Sequence, residues 1–392
     1  VSAPLSWDAA RDAARDAART AASPLPAERL PLAQALGRVL TADVRAAQDI
    51  PHYASSAMDG WAVAGEGPWS LVTAATLREG QAALIATGGA LPGGARGVIR
   101  REFATVRDGR VVLAVDAPES ETRPGRHVRP AAEEARAGEV VITAGVRLNP
   151  AHLAVAAACG ADELPVARRP RVALVLTGDE VITRGVPEPG RVRDSFGPQL
   201  PGMLALLGAD VVDVRHVGDD PAAIAVALGA SVELVVSTGG TGDSHADHVR
   251  SALAERGAEL LVPRVAIRPG GPTLLARLPS GALALGLPGN PLAAMLGLLG
   301  VGGPLLARLA GIPEPAPVEV RAAAPVAGRA ASTRLVPARC TAAGAAPTRW
   351  IDAGMLRGLA EADGVLIVPP EGIPAGAPAR MLPLPWSGPH LA

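Results

Sequence analysis

Between Arg171 and Glu255 the chain alternates two kinds of segment, and this alternation restricts the fold more than any other feature. Arg171 to Leu176 and Leu234 to Ser237 are continuous apolar runs. Each closes on a glycine loop, Thr177-Gly178-Asp179-Glu180 in one case and Thr238-Gly239-Gly240-Thr241-Gly242-Asp243 in the other. Helix-like stretches lie at Leu200 to Leu207, Pro221 to Leu228 and Ala246 to Glu255, with a further strand-like run at Asp210 to Val217. Buried strands punctuated by helices predict a mostly parallel sheet covered by helices. Ligands of such sheets bind beyond the carboxyl ends of the strands, where both glycine loops fall.

The flanking regions read differently. Ser6 can cap a helix over Trp7 to Ala21, which Pro24 and Pro26 end. A second helix is expected over Leu32 to Leu40. From Ala46 to Arg136 short β-like runs (Trp69 to Thr73, Gly97 to Arg101, Arg110 to Val115) sit between Gly, Pro and Asp-Gly turns, as in a small β domain. Short strands resume after Pro313. The apolar run Pro291 to Ala307 is short for a membrane span and carries Gly300, Gly302, Gly303 and Pro304, so a buried helix is expected.

Composition excludes several function classes. The 392 residues carry 37 basic and 38 acidic side chains, a net −1, which gives no basic face for nucleic acid. Every basic residue is Arg. The absence of Lys removes the G-x-x-x-x-G-K-[ST] phosphate loop and lysine Schiff bases together. Cys159 and Cys340 match no metal or redox spacing, and both are expected to be buried in a reducing compartment. Residues 1–8 show no basic-then-apolar leader pattern, so a cytoplasmic protein without membrane attachment is expected.

What remains is carboxylate, arginine and backbone N–H chemistry. Glycine loops at helix starts can hold an oxyanion, and Asp243, Asp247 and Glu180 could hold Mg²⁺ or cap helices. Arg264 and Arg268 suit a tetrahedral anion, although a solvated pair is the more common reading. Leu287-Pro-Gly-Asn-Pro291 reads as a helix entry with Asn290 as cap and Pro291 at the first helical position. Asp59-Gly60 is a turn signal. Arg129 and Glu134 lie in a charged stretch whose default reading is a solvated face. His245 and His248 lack a zinc spacing.

Taken in order, Ser56-Ala-Met-Asp-Gly-Trp-Ala-Val63, Thr87-Gly-Gly-Ala-Leu-Pro92, Gly125-Arg-His-Val-Arg129, Thr177-Gly-Asp-Glu180, Gly218-Asp-Asp-Pro221, Ser237-Thr-Gly-Gly240, Arg268-Pro-Gly270 and Leu287-Pro-Gly-Asn-Pro291 resemble the MoeA-type molybdopterin molybdenumtransferases, also seen as the E domain of gephyrin. The resemblance covers nearly the whole chain. It implies a multidomain α/β fold: a central doubly wound molybdopterin-binding domain with small mainly-β domains, in an elongated homodimer. Residues 1–26 would pack with the central domain, 27–45 and 137–169 form a linker domain, 46–136 a small β domain, 170–313 the pterin-binding domain and 314–392 a C-terminal β domain.

The implied reaction is insertion of molybdate into adenylylated molybdopterin, with release of AMP and with Mg²⁺. By motif match the catalytic residues would be Asp59, Glu180, Asp219 and Asp247, the last three also holding the metal. Thr87, Arg129, Glu134, Thr177, Gly239, Gly240, Asp243, Arg264, Arg268, Pro288 and Pro291 would bind substrate. A transient contact with molybdopterin adenylyltransferase is also implied. Thr241-Gly-Asp-Ser-His245 replaces the family's usual Gly-Val-Ser-Val-Gly, Arg264 and Arg268 replace two Lys, Gly271 replaces a third, and Phe196 replaces an Asn. Those departures define the alternative, a divergent paralogue that binds the pterin or its nucleotide without catalysis.

Overall fold

The structure is a computed structural model describing residues 3–21, 25–242 and 248–387. It contains two compact units, Glu28–Val166 on one hand and Val1–Ala27 with Ala167–Ala392 on the other. The first helix, α1 (Trp7–Ala21), belongs to the larger unit. Ser6 Oγ accepts from Ala9 N at 3.2 Å, the cap its position predicts.

The smaller unit is built on a six-stranded sheet. Its strands are β1 (Gly60–Ala64), β2 (Trp69–Leu71), β3 (Gln81–Ile85), β4 (Gly97–Arg100), β5 (Ala104–Arg107) and β6 (Arg110–Leu113), in the order β4-β1-β3-β2-β6-β5. Only the β2–β3 pair is parallel. Every residue of β1 is buried: Trp61 and Val63 pack with Trp69 and Ile99, while Ala62 and Ala64 pack with Ile85 and Val98 on the opposite face. Gly60 permits this: a Cβ there would lie 1.9 Å from the Ile99 carbonyl oxygen. A second core gathers Leu40, Val44, Ile142, Leu148, Cys159 and Leu164 around the helix α2 (Pro150–Ala158). The helix expected over Leu32 to Leu40 does not form. A single 3₁₀ turn spans Leu32–Gln34, Gly37 takes φ +75°, and Leu40 is drawn into a bridge with Val166.

The larger unit contains the sheet that the apolar runs predict. Its elements are β7 (Arg171–Thr177), α3 (Phe196–Leu206), β8 (Asp210–Val217), α4 (Pro221–Leu228), β9 (Leu234–Thr238), α5 (His248–Glu255), β10 (Glu259–Val262), β11 (Leu274–Arg277), β12 (Leu283–Leu287), α6 (Pro291–Gly297) and α7 (Gly303–Ala310). The order is β8-β7-β9-β12-β11-β10, with the first four strands parallel, β11 antiparallel to β12, and β10 antiparallel to β11. Helices α6 and α7 run on through a π turn, Leu298–Gly302, and every residue of Pro291–Ala310 except Pro291 and Arg308 is buried, a core helix despite its membrane-like composition. Against it lies the alanine stripe of α1, Ala10, Ala14, Ala17 and Ala18. Gly300 leaves the space that the Trp7 ring fills, and buried Arg11 donates to the Gly300 carbonyl while pairing with Glu314.

A second sheet follows α7. Strands β13 (Val318–Arg321), β14 (Thr333–Thr341), β15 (Gly344–Pro347), β16 (Gly364–Val368) and β17 (Pro378–Pro383) flank the short helix α8 (Arg357–Ala360). Its order is β14-β16-β17-β13, with β15 paired to β14 and the two-residue strand Ile267–Arg268 added in parallel beside β14. Cys340 is exposed, against expectation, because it lies at the end of β14 beyond the β16 pairing, where only β15 accompanies it.

Candidate functional site

Three loops converge at the carboxyl ends of β7, β9 and β12 around a cleft of about 700 Å³. Thr177 closes β7, and its hydroxyl donates to the Thr238 carbonyl at 2.6 Å, tying the first two loops together. Gly239 follows with φ +80°, and a Cβ there would lie 2.7 Å from Thr177 Oγ1. Only glycine meets both demands. Its N–H donates to the Leu287 carbonyl at 2.9 Å, which joins the third loop. Gly240 also has positive φ, and Gly289 lies against Gly239, its ideal Cβ position 3.6 Å from the Gly239 Cα. Backbone N–H groups of Gly240 and Gly289 have no partner among the described residues. Such amides at a glycine junction are suited to an anion.

Carboxylates rim this cleft. Glu180 and Asp219 both line it. Asp219 is held by reciprocal bonds: its N–H donates to Asp179 Oδ1 at 3.3 Å, and Asp179 N–H donates to Asp219 Oδ2 at 3.4 Å. Asp194, which the motif reading passed over, is nearly buried in the same lining. Its Oδ1 accepts from Phe196 N at 2.8 Å and Gly197 N at 3.0 Å, and its Oδ2 lies 2.9 Å from His216 Nε2. Burial works to raise this carboxyl, but the Gly197 N–H, His216 and the Phe196 N–H outweigh it and hold the pKa below the ordinary value. Asp194 stands one residue ahead of the cap position held by Ser195, so the sequence signalled a helix start without signalling the His216 contact.

Pro288 and Pro291 line the mouth. Asn290 occupies the cap position of α6 without a side-chain cap bond, contrary to expectation. The Ala353 carbonyl does that work instead, accepting from Leu292 N at 2.9 Å and Ala293 N at 3.2 Å. The neighbouring Gly354 thereby joins the lining. Arg264 and Arg268 are not among the lining residues. Pro269 and the pairing of Ile267–Arg268 with β14 draw that segment toward the second sheet, with Arg268 exposed opposite Arg334. Asp243 and Asp247 lie outside the described residues.

The smaller unit carries its own predicted residues. Asp59, exposed just before β1, accepts from Thr87 N at 2.6 Å and Thr87 Oγ1 at 2.8 Å, both on Oδ1. These two donors hold its pKa below the ordinary value. Gly88 N donates to the Ser56 carbonyl at 2.8 Å and Ser56 N to the Gly89 carbonyl at 3.0 Å, so the two sequence motifs form one corner. Arg129 is exposed and pairs with Ser55 in a short ladder. Glu134 is exposed one turn further along, its N–H donating to Ile50. A larger cavity of about 900 Å³ opens at the other end of β1, beside Trp69 and Glu121, and includes none of the predicted residues. The smaller cleft of the larger unit is the stronger site because acidic and glycine loops converge on it.

Comparison with known proteins agrees with both regions. Residues 5–160 match the family model described as "MoeA N-terminal region (domain I and II)", and residues 173–308 match "Probable molybdopterin binding domain". The chain belongs to the MoeA family. A molybdopterin molybdenumtransferase of Nostoc sp. is 34% identical over 75% of this chain and 72% of its own length. Molybdopterin molybdenumtransferase 2 of Mycobacterium tuberculosis is 32% identical over 73% of this chain and 76% of its own. Two solved molybdopterin biosynthesis MoeA proteins from Pyrococcus horikoshii share the multidomain α/β fold. One aligns with a TM-score of 0.78 at 25% identity, covering 96% of this chain and 98% of its own. The other gives 0.75 at 20% identity over 97% and 99%.

The family resemblance raises the question of magnesium. Glu180 and Asp219 are hard oxygen donors of the right kind. Among the described residues, however, no three His, Cys, Asp or Glu side chains converge to hold a metal ion.

Proposed function

We propose that this MoeA-family chain is a molybdopterin molybdenumtransferase that inserts molybdate into adenylylated molybdopterin and releases AMP. One observation carries the reading: the glycine junction Gly239–Gly240–Gly289 and the carboxylates Glu180 and Asp219 meet at the carboxyl edge of the parallel sheet, within the segment matched to a pterin-binding family. The Gly240 and Gly289 amides, without a partner among the described residues, and the dipoles of the surrounding peptide units favour the pyrophosphate link and the molybdate oxyanion. Thr177, Pro288 and Pro291 fix the width of the cleft. Glu180 and Asp219, together with Asp247, would be the residues to hold a magnesium ion, whose chemistry there is to offset phosphate charge.

The reading includes a homodimer in which Asp59 and Thr87 come from a second copy, with Arg129 and Glu134 nearby. It also includes a doubly wound central domain over residues 170–313, a cytoplasmic location, and a transient contact with the adenylyltransferase that makes the substrate. Arg264 and Arg268 would attract anions toward the cleft from outside it.

The test is AMP release from adenylylated molybdopterin with Mg²⁺, with and without molybdate. Molybdate-dependent release that disappears in Glu180→Gln supports the transferase. Tight binding of the nucleotide without release would sink it in favour of a binding paralogue. Gly271 motivates that second reading: the position lacks a side-chain charge, and a Cβ there would lie 3.3 Å from the Ile267 carbonyl oxygen, a tight fit for any larger residue.

A further inference from the structure

We propose that Tyr53 is the stacking surface for the pterin ring of the substrate, acting beside Asp59 on the corner of the smaller unit. This rests on the pterin-nucleotide reading above. Tyr53 is the sole tyrosine of a chain in which aromatics make up 2% of residues, and it is 41% exposed. A single exposed apolar side chain needs no explanation. The surroundings of this one do.

Its hydroxyl donates to the Gly88 carbonyl at 3.3 Å, and the preceding residue, Thr87, donates twice to Asp59. Adjacent residues of one turn therefore hold both the ring and the carboxylate. The His52 ring meets Tyr53 edge to face, centroids 4.7 Å apart, which sets the tyrosine orientation. Met58, also exposed, adds a second adaptable apolar surface. Trp350 offers the contrast: it is similarly exposed, but the Arg357 guanidinium covers its ring at 3.8 Å from the centroid.

The chemistry selects which ring is held. Asp59 Oδ1 receives both Thr87 bonds; Oδ2 accepts no hydrogen bond among the described residues, and the Arg101 charge acts on the carboxylate as a whole. An ionised carboxylate is an acceptor only, so the open oxygen calls for N–H donors. The 2-amino-4-oxo edge of a pterin presents two adjacent N–H donors with no acceptor between them. The edge of adenine alternates donor and acceptor, and offers such an oxygen one bond. A planar ring with a two-donor edge fits the pair Tyr53 and Asp59.

The experiment measures calorimetric affinities of the full chain for adenylylated molybdopterin, pterin-6-carboxylate and AMP. It compares wild type with Tyr53→Leu and Tyr53→Phe. Base–aromatic stacking energies lead us to expect Tyr53→Leu to weaken both pterin ligands by about tenfold or more. AMP affinity stays within about twofold, and Tyr53→Phe stays within about threefold for all three ligands, because the ring is kept. Thermal melting should be unchanged, since the side chain is exposed. Unaltered pterin affinity in Tyr53→Leu would overturn the stacking role and leave the transferase reading standing. An equal loss for AMP would assign the ring to adenine and overturn the pterin assignment. A wild-type chain that binds none of the three overturns both.

Discussion

In the larger unit the cleft is made of backbone: Gly239, Gly240 and Gly289 bring three loop ends together, and carboxylates stand around them. In the smaller unit the Asp59 corner is made of side chains, a carboxylate fixed by a threonine and flanked by an exposed tyrosine. The first follows from topology, since parallel strands deliver their loops to one edge. The second depends on individual hydrogen bonds between exposed groups. Substitution should therefore damage the two in different ways: backbone changes in the cleft cost stability and function together, whereas side-chain changes at the corner cost function alone.

The largest expected effect tests the corner. Asp59→Ala should lower AMP release by about 100-fold or more, the usual scale for losing a positioned charged group. Its melting temperature should stay at the wild-type value. A fall in melting temperature would break the contrast and make the corner structural.

Of comparable size is the effect of a carboxylate of the opposite kind in the same unit. Glu121 is fully buried, which works to raise its pKa. The Arg100 side chain, the Arg100 N–H and His127 outweigh this and hold it at about 2, against an ordinary 4.5. Because the folded value is depressed, the stabilisation is complete above about pH 4.5 and is lost as pH falls toward 2. It amounts to about 3 kcal/mol at neutral pH. Acid titration of the tryptophan fluorescence, to which Trp61 and Trp69 of the same unit contribute two of five rings, should show this transition in wild type. Glu121→Gln should remove this contribution to the pH dependence and lower stability at pH 7.

Gly239→Ala tests the cleft. The added Cβ meets Thr177 Oγ1 in a left-handed backbone, so a loss of about 2 kcal/mol in denaturant unfolding is expected, with a parallel loss of turnover. Wild-type stability with lost turnover would mean that the junction is as side-chain-like as the corner. Smallest is Thr87→Val, which removes one of two donors to Asp59 and keeps the backbone N–H. A fall in turnover of about fivefold is expected, from the worth of one hydrogen bond.

The same contrast explains what could be read in advance. The strands Arg171–Thr177 and Leu234–Thr238 and the helix Trp7–Ala21 were legible because apolar runs and an alanine stripe have periods of their own. The Asp59–Thr87 contact was accessible only through motif resemblance, since its partners are far apart in sequence. Leu32 to Leu40 misled because its apolar spacing is answered by bridges to Arg147 and Val166 instead of a helix. Asn290 carried a correct position and a wrong role, because its competitor for the α6 amides comes from beyond α7. Asp194 gained its meaning from His216, on a strand whose neighbour no local pattern specifies.

The Ala353 carbonyl seated on the first amides of α6 ties the region after α7 to the cleft at the carboxyl edge of the parallel sheet. A chain cut after residue 313 would retain every strand of the parallel sheet, yet it would bare the amides of Leu292 and Ala293 at the head of an apolar helix. Recombination between relatives at that boundary must import a replacement acceptor along with the new tail. The C-terminal region thus completes the α6 end of the cleft and has to accompany it.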